Sequence, residues 1–150
     1  MDGRYTLDEL LYQKGLSNKQ IADVINNATQ PKILVIADSA EPKSIDEIKS
    51  YGINILPAEK GKDSVLSGIQ LVQDQRIAVT KRSVNIIKEY RNYLWERDKD
   101  DNVLNIPDHR WSHSMDAIRY GLVSLIKKPK FTLVPSAPLK PYYGDRDMPF

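Results

Sequence analysis

The sequence predicts an α/β domain whose sheet is largely parallel and covered by helices on both faces. Three observations lead there. A short, uninterrupted apolar run, Lys32 to Asp38 (KILVIAD), ends in an acid, the pattern of a strand buried on both sides. Ser17 with Gln20, and Ser44 with Glu47, are spaced as capping boxes that open helices. Strand-like and helix-like segments then alternate along the chain without an internal repeat.

Arg4 to Tyr12 (RYTLDELLY) reads as a strand, although its Leu and Glu content leaves a helix open. The helix begun at Ser17 carries Ile21, Val24 and Ile25 at helical spacing and stops at Asn26-Asn27, ahead of Pro31. The helix begun at Ser44 runs through Ile48 and ends at Gly52. Ile53 to Leu56 is a brief strand closed by Pro57. Asp63 or Ser64 then caps a helix bearing Val65, Leu66, Ile69 and Val72. Arg76 to Thr80 is a further strand, and Ser83 to Trp95 a helix. The polar centre Asp98 to Asn102 lies between apolar flanks, so Tyr93 to Pro107 is expected to form a hairpin excursion. Ser112 to Lys127 is the last helix, with Met115, Ile118, Leu122 and Leu125 on its apolar side. Five of the nine prolines follow, from Pro129 to Pro149, so residues 128–150 are expected to be an extended or disordered tail behind a domain of residues 1–127.

A chain of 150 residues, 41% hydrophobic and 28% charged, suits one soluble domain able to bury about two-thirds of its unfolded surface. It contains no cysteine, which removes disulfides, thiolate metal sites and cysteine nucleophiles. The net charge of +2 does not announce a nucleic-acid binder, so any basic surface must be local. No signal peptide and no apolar run of membrane-spanning length are found, and a cytoplasmic protein is expected.

Asp38 sits where open α/β sheets place ligands, just past the carboxyl end of a strand. A carboxylate there needs a cation or hydrogen-bond donors, and the plainer alternative is that it caps the turn Asp38-Ser-Ala-Glu-Pro. Glu41 reads as a solvated loop acid. His113 and Asp116 are three positions apart on a helix, which puts them on one face roughly 5–6 Å apart at Cβ. They form a usable ligand pair for Mg²⁺ or Mn²⁺, or equally a helix-start cap with a surface contact. Lys60, Lys62, Lys81 and Arg82 stand at helix starts and strand ends, positions suited to phosphate, while His109 reads as a loop residue. A GxSxG nucleophile elbow is absent. So is a phosphate-binding GxxxxGK[ST] loop, although Lys60 to Ser64 has a superficial likeness to its end.

Ile36-Ala-Asp-Ser-Ala-Glu-Pro-Lys-Ser44 resembles the second acidic motif of the nuclease domain of phage terminase large subunits. Ala58-Glu-Lys-Gly-Lys-Asp-Ser64, Gly68-Ile69 and His113-Ser-Met-Asp-Ala-Ile-Arg-Tyr-Gly121 resemble later motifs of that family, in the right order. The resemblance spans about Tyr5 to Leu125. It implies a ribonuclease H-like, three-layer α/β/α domain that cuts packaged double-stranded DNA with two divalent metals, Mg²⁺ or Mn²⁺, about 3.5–4 Å apart. By position it makes Asp38 and Asp116 catalytic metal ligands, and His113 a ligand or proton-transfer group. It sets the excursion from Tyr93 to Pro107 beside the active site, and it implies partners in the intact protein: an ATPase motor domain, the portal and the small terminase subunit, in the cytoplasm of a bacterial host.

The same resemblance implies a first catalytic Asp on a first strand, followed by a second strand, ahead of the segment like Tyr5 to Tyr12. Neither is in this chain, and Asp2 lacks the apolar strand that should lead up to it. The expectation is a domain lacking its first strands, with weak Mn²⁺ binding, little cleavage and an exposed sheet edge open to homodimer formation. Two alternatives are a non-catalytic DNA-binding or assembly relic and another ribonuclease H-like nuclease of resolvase or transposase type. The latter needs a third acid, Glu9 or Glu41. A third is a protein binding a small anion near Ser64.

Overall fold

The computed structural model describes residues 4–29, 33–61 and 64–127. Strand β1 (Arg4–Leu7) leads into helix α1 (Asn18–Ala28), strand β2 (Val35–Ala37) and helix α2 (Pro42–Ser50). Strand β3 (Ile55–Pro57), helix α3 (Ser64–Gln73), strand β4 (Arg76–Val79) and helix α4 (Val84–Asn92) follow. The hairpin strands β5 (Trp95–Arg97) and β6 (Val103–Pro107), a 3₁₀ turn at His109–Trp111 and helix α5 (His113–Ile126) complete the order. The expected tail at 128–150, and Lys62 and Asp63, lie outside the described residues.

Local chemistry accounts for most boundaries. Ser17 caps α1 with the reciprocal capping box formed with Gln20. The box expected at Ser44 is not formed. Helix α2 starts earlier, with Pro42 in its first turn, where the missing N–H is no loss, and Glu41 at the cap without a side-chain hydrogen bond. Gly52 ends that segment at φ +87, a conformation that favours glycine, with its N–H donated to the Lys49 carbonyl. Helix α4 is shorter than expected, because Trp95 belongs to the hairpin. The hairpin tip is folded around Asp98, whose carboxylate accepts from the Asp100 and Asn102 N–H groups and the Asn102 side chain.

The parallel sheet is present, but in two pieces. Strand β1 pairs with β4 and β2 with β3, both in parallel, and the hairpin is a separate antiparallel pair. Among the described residues no strand bridges β1 and β2. Their free edges border a largely apolar cleft of about 960 Å³, lined by Leu7, Leu11, Val35, Ile36, Ile118 and Leu122 among others.

Each half is held differently. The β2–β3 half rests on an apolar core of Ala22, Ile45, Ile48, Ile53 and Ile55, against which Val35 and Ala37 of β2 pack. The β1–β4 half is tied down by polar groups. The Glu9 carboxylate accepts from Asn85 and from the Ile86 N–H in the first turn of α4, and the Glu9 N–H is donated to Ser83 Oγ. Helix α5 joins the halves by packing on β2, α3 and α4.

Glu89 of α4 is the polar pin of that junction. It is 2% exposed and accepts from the Tyr12 hydroxyl at 2.7 Å and from the Ser114 N–H, at the start of α5, at 2.6 Å. Burial pushes its carboxyl up, but these donors outweigh burial and hold it below the usual range. With two charge-assisted bonds of about 1.5 kcal/mol or more each, Glu89→Ala should destabilise the domain by about 3 kcal/mol in urea denaturation at neutral pH. A folded pKa below the unfolded one contributes stability above the ordinary Glu range, and that contribution is lost as pH falls through the lowered value. Wild-type stability should therefore drop on acidification more steeply than that of Glu89→Ala.

Candidate metal centre

Asp38 lies directly after β2 and is exposed. It does what strand-end acids commonly do, accepting the Ala40 N–H at 2.9 Å to close the turn. The same carboxylate also forms an ion pair with Lys60. Burial pushes the Asp38 carboxyl up; Lys60, the Ala40 N–H and the more distant Arg119 together pull it below the ordinary range. The hydrogen bond to Asp38 correspondingly raises Lys60.

Asp116 stands in the first turn of α5. Its Oδ1 accepts from Arg119 Nη2 at 2.7 Å, one helical turn on. Tyr120 completes the arrangement: Lys60 Nζ lies 5.3 Å and the Arg119 guanidinium carbon 4.6 Å from its ring centre. The chain Asp38–Lys60–Tyr120–Arg119–Asp116 thus brings the two acids into one neighbourhood with positive charge between them. Tyr93, at the base of the hairpin, borders it: burial raises its hydroxyl pKa and the Asp116 charge raises it further.

The other candidate residues sit elsewhere. His113 is exposed at the rim of the cleft, and its charge acts on Glu89. Arg82 is committed to Asp8, with Nε donating to Oδ1 at 2.7 Å, and this pairing holds Asp8 at about 2. Lys81 is exposed in the adjoining turn. Glu9 caps α4, and Glu41 is exposed at the start of α2. Arg119, Tyr120 and Glu89 were not singled out from sequence. The three-residue spacing of Asp116 and Arg119, with Gly68 inside a helix, was the available signal for Arg119.

As donors, two hard carboxylate oxygens suit a divalent cation such as Mg²⁺ or Mn²⁺. In number they fall short. Among the described residues no group of three or more His, Asp and Glu side chains is close enough to hold a metal.

An α/β layer with an acid at a strand end and another on the closing helix is of ribonuclease H-like type. The family model described as terminase RNAseH like domain matches residues 3–123. The chain is 35% identical over 128 residues to the terminase large subunit of Bacillus phage SPP1, covering 83% of this chain and 30% of that protein. It is 28% identical over 112 residues to the PBSX phage terminase large subunit of Bacillus subtilis (strain 168), covering 74% and 26% respectively. The crystal structure of the large terminase nuclease domain from bacteriophage SPP1, solved with bound Mn, superposes with a TM-score of 0.69 at 34% identity, over 79% of this chain and 70% of that one. The chain belongs to the terminase RNase H-like domain family. It spans less than a third of the length of either of these two large subunits.

The two acids should differ in what they contribute to stability. Asp38 and Lys60 are both exposed, so Asp38→Ala should change the unfolding free energy by no more than about 1 kcal/mol. Arg119 has only 8% of its side chain exposed, so Asp116→Ala strands a buried cation and should cost about 3 kcal/mol. Urea denaturation of the two variants at neutral pH measures the difference.

Proposed function

We propose that this chain is the nuclease part of a DNA-packaging terminase large subunit, built to hydrolyse phosphodiesters of double-stranded DNA with Mg²⁺ or Mn²⁺ held by Asp38 and Asp116. The single observation that carries this is the run of contacts from the strand-end acid Asp38 through Lys60, Tyr120 and Arg119 to Asp116. The relative of similar fold, solved with bound Mn, supports the choice of metal. When bound, the metal would supply a water of lowered pKa and positive charge for the developing oxyanion. The chain's own residues do the rest. Asp38 and Asp116 provide oxygen ligands, Lys60 and Lys81 meet phosphate, and Tyr93 places the hairpin at the edge of the site. Lys62 belongs with the phosphate contacts by position. His113 serves as a proton-transfer group only if it turns from Glu89 toward Asp116. Arg82 is withheld from DNA while it pairs with Asp8. The ATPase motor, portal and small subunit are the partners that the whole-protein relatives suggest.

We further propose that this chain alone binds metal weakly and cuts poorly. Among the described residues two acids without a third leave the ligand set incomplete. The cleft between β1 and β2 is where a further strand would bring the remaining carboxylate next to Asp38. The same free edges admit pairing with a second copy, which light scattering would detect as a dimer. The paired acids favour one other reading, DNA binding without cleavage.

Supercoiled plasmid with Mn²⁺ decides between strong and weak catalysis: conversion by the wild-type chain should stay near background. Robust cutting that Asp38→Ala abolishes would overturn the weak-catalyst reading. Mn²⁺ binding that neither Asp38→Ala nor Asp116→Ala weakens would overturn the metal assignment. Filter binding of DNA across a salt series should show Lys60→Gln and Lys81→Gln each lowering the salt slope by about 1.

A further inference from the structure

Arg119 is buried, a costly position for a guanidinium. Its Nη2 holds Asp116, but its Nε is buried without a hydrogen-bond partner among the described residues. A stranded donor of that kind is costly, and it persists only where something fixes the side chain. The fixing element is on α3. A Cβ on Gly68 would stand 2.8 Å from Arg119 Cδ and 2.9 Å from its Cγ, closer than carbon atoms tolerate. Gly68 lies in the interior of α3, where glycine costs about 1 kcal/mol relative to alanine. The missing methyl is the space in which the Arg119 stem packs against α3 while its guanidinium turns back along α5 to Asp116.

We propose that Gly68 and Arg119 form a seat-and-strut that positions Asp116 as a metal ligand: α3 holds the stem, and the guanidinium, packed on the Tyr120 ring, holds the carboxylate. This rests on the metal-site reading of Asp116, and it assigns to α3 a part in the site that no acid on that helix supplies. Arginine suits the task where lysine does not. The planar fork keeps its charge when buried and fixes direction as well as distance, whereas a buried ammonium loses its proton readily. Arg119 is a positioning residue, acting through Asp116.

The test is ¹⁵N NMR of arginine Nε–H groups in the full chain, with Mn²⁺ as the paramagnetic probe. In the wild type the Arg119 Nε–H should give a slowly exchanging signal, shifted in Asp116→Asn and lost in Gly68→Ala, while Gly68→Ala keeps the folded backbone spectrum. Mn²⁺ should broaden the Arg119 signal, and Gly68→Ala and Arg119→Lys should each weaken Mn²⁺ binding roughly ten- to a hundredfold. A protected signal that survives Gly68→Ala unchanged, or Mn²⁺ affinity equal in wild type, Gly68→Ala and Arg119→Lys, would overturn the seat-and-strut. A protected signal that is lost in Gly68→Ala yet is never broadened by Mn²⁺ would support the strut and reject the metal reading instead. If Gly68→Ala does not fold, the Mn²⁺ affinity of Arg119→Lys against wild type decides.

Discussion

Two carboxylates from different elements stay ionised near one another most readily where positive charge lies between them. Each would otherwise raise the pKa of the other and push the elements apart. In this chain that charge is internal. Lys60 from the loop after β3 and Arg119 from α5 both lie against the Tyr120 ring, and each pairs with one acid. Helix α5 packs across β2 and α3, and the Arg119–Asp116 pair lies within it. Its first turn carries Asp116, and its second turn carries the cation that makes Asp116 tolerable there.

The two ion pairs are unequal, and the inequality has a functional sense. Lys60 is flexible, 40% exposed and paired with a half-exposed acid, so its contact is screened and easily exchanged for another anion or surrendered to a metal. Arg119 is nearly closed off from water and locked against α3. One acid is therefore held by a movable counterion and the other by a fixed one. A metal arriving at such a site meets one ligand already oriented and another free to adjust, an economical way to assemble a centre that requires partners from several elements.

Much of the fold was legible in the sequence because its signals are local. The capping box at Ser17, the glycine stop at 52 and the acid-centred turn at 98–102 each act within a few residues, and each appears where the spacing placed it. The box at Ser44 failed for an equally local reason, since Pro42 offers an earlier start to the same helix. The acids at 38 and 116 were found from strand-end and helix-face positions together with family motifs. Arg119 was passed over because its importance is not local: it depends on a missing side chain 51 positions earlier on another helix. Glu89 escaped for the same reason. Nothing in VNIIKEYRN distinguishes a surface glutamate from one that Tyr12 and Ser114 will enclose.

His113 stands where helical spacing is only part of the account. Three residues from Asp116, it belongs by periodicity to the same face, yet α5 begins at His113 itself. A residue at the very start of a helix is also subject to whatever packs against the N-terminus, and here that is the buried Glu89 carboxylate reached from α4. The negative charge and the helix-start N–H groups form one electrostatic unit, favourable at the positive end of the α5 dipole. His113, when protonated, adds to that unit. The start of α5 therefore serves two acids with different partners: Glu89, which is buried and takes the Ser114 N–H, and Asp116, which takes Arg119. Glu89 joins the two halves of the sheet, and Asp116 belongs to the candidate centre. Ser114, whose N–H meets Glu89, lies two residues before Asp116, so a single helix serves both acids, and His113 stands between a buried charge already enclosed and a metal site still short of a ligand.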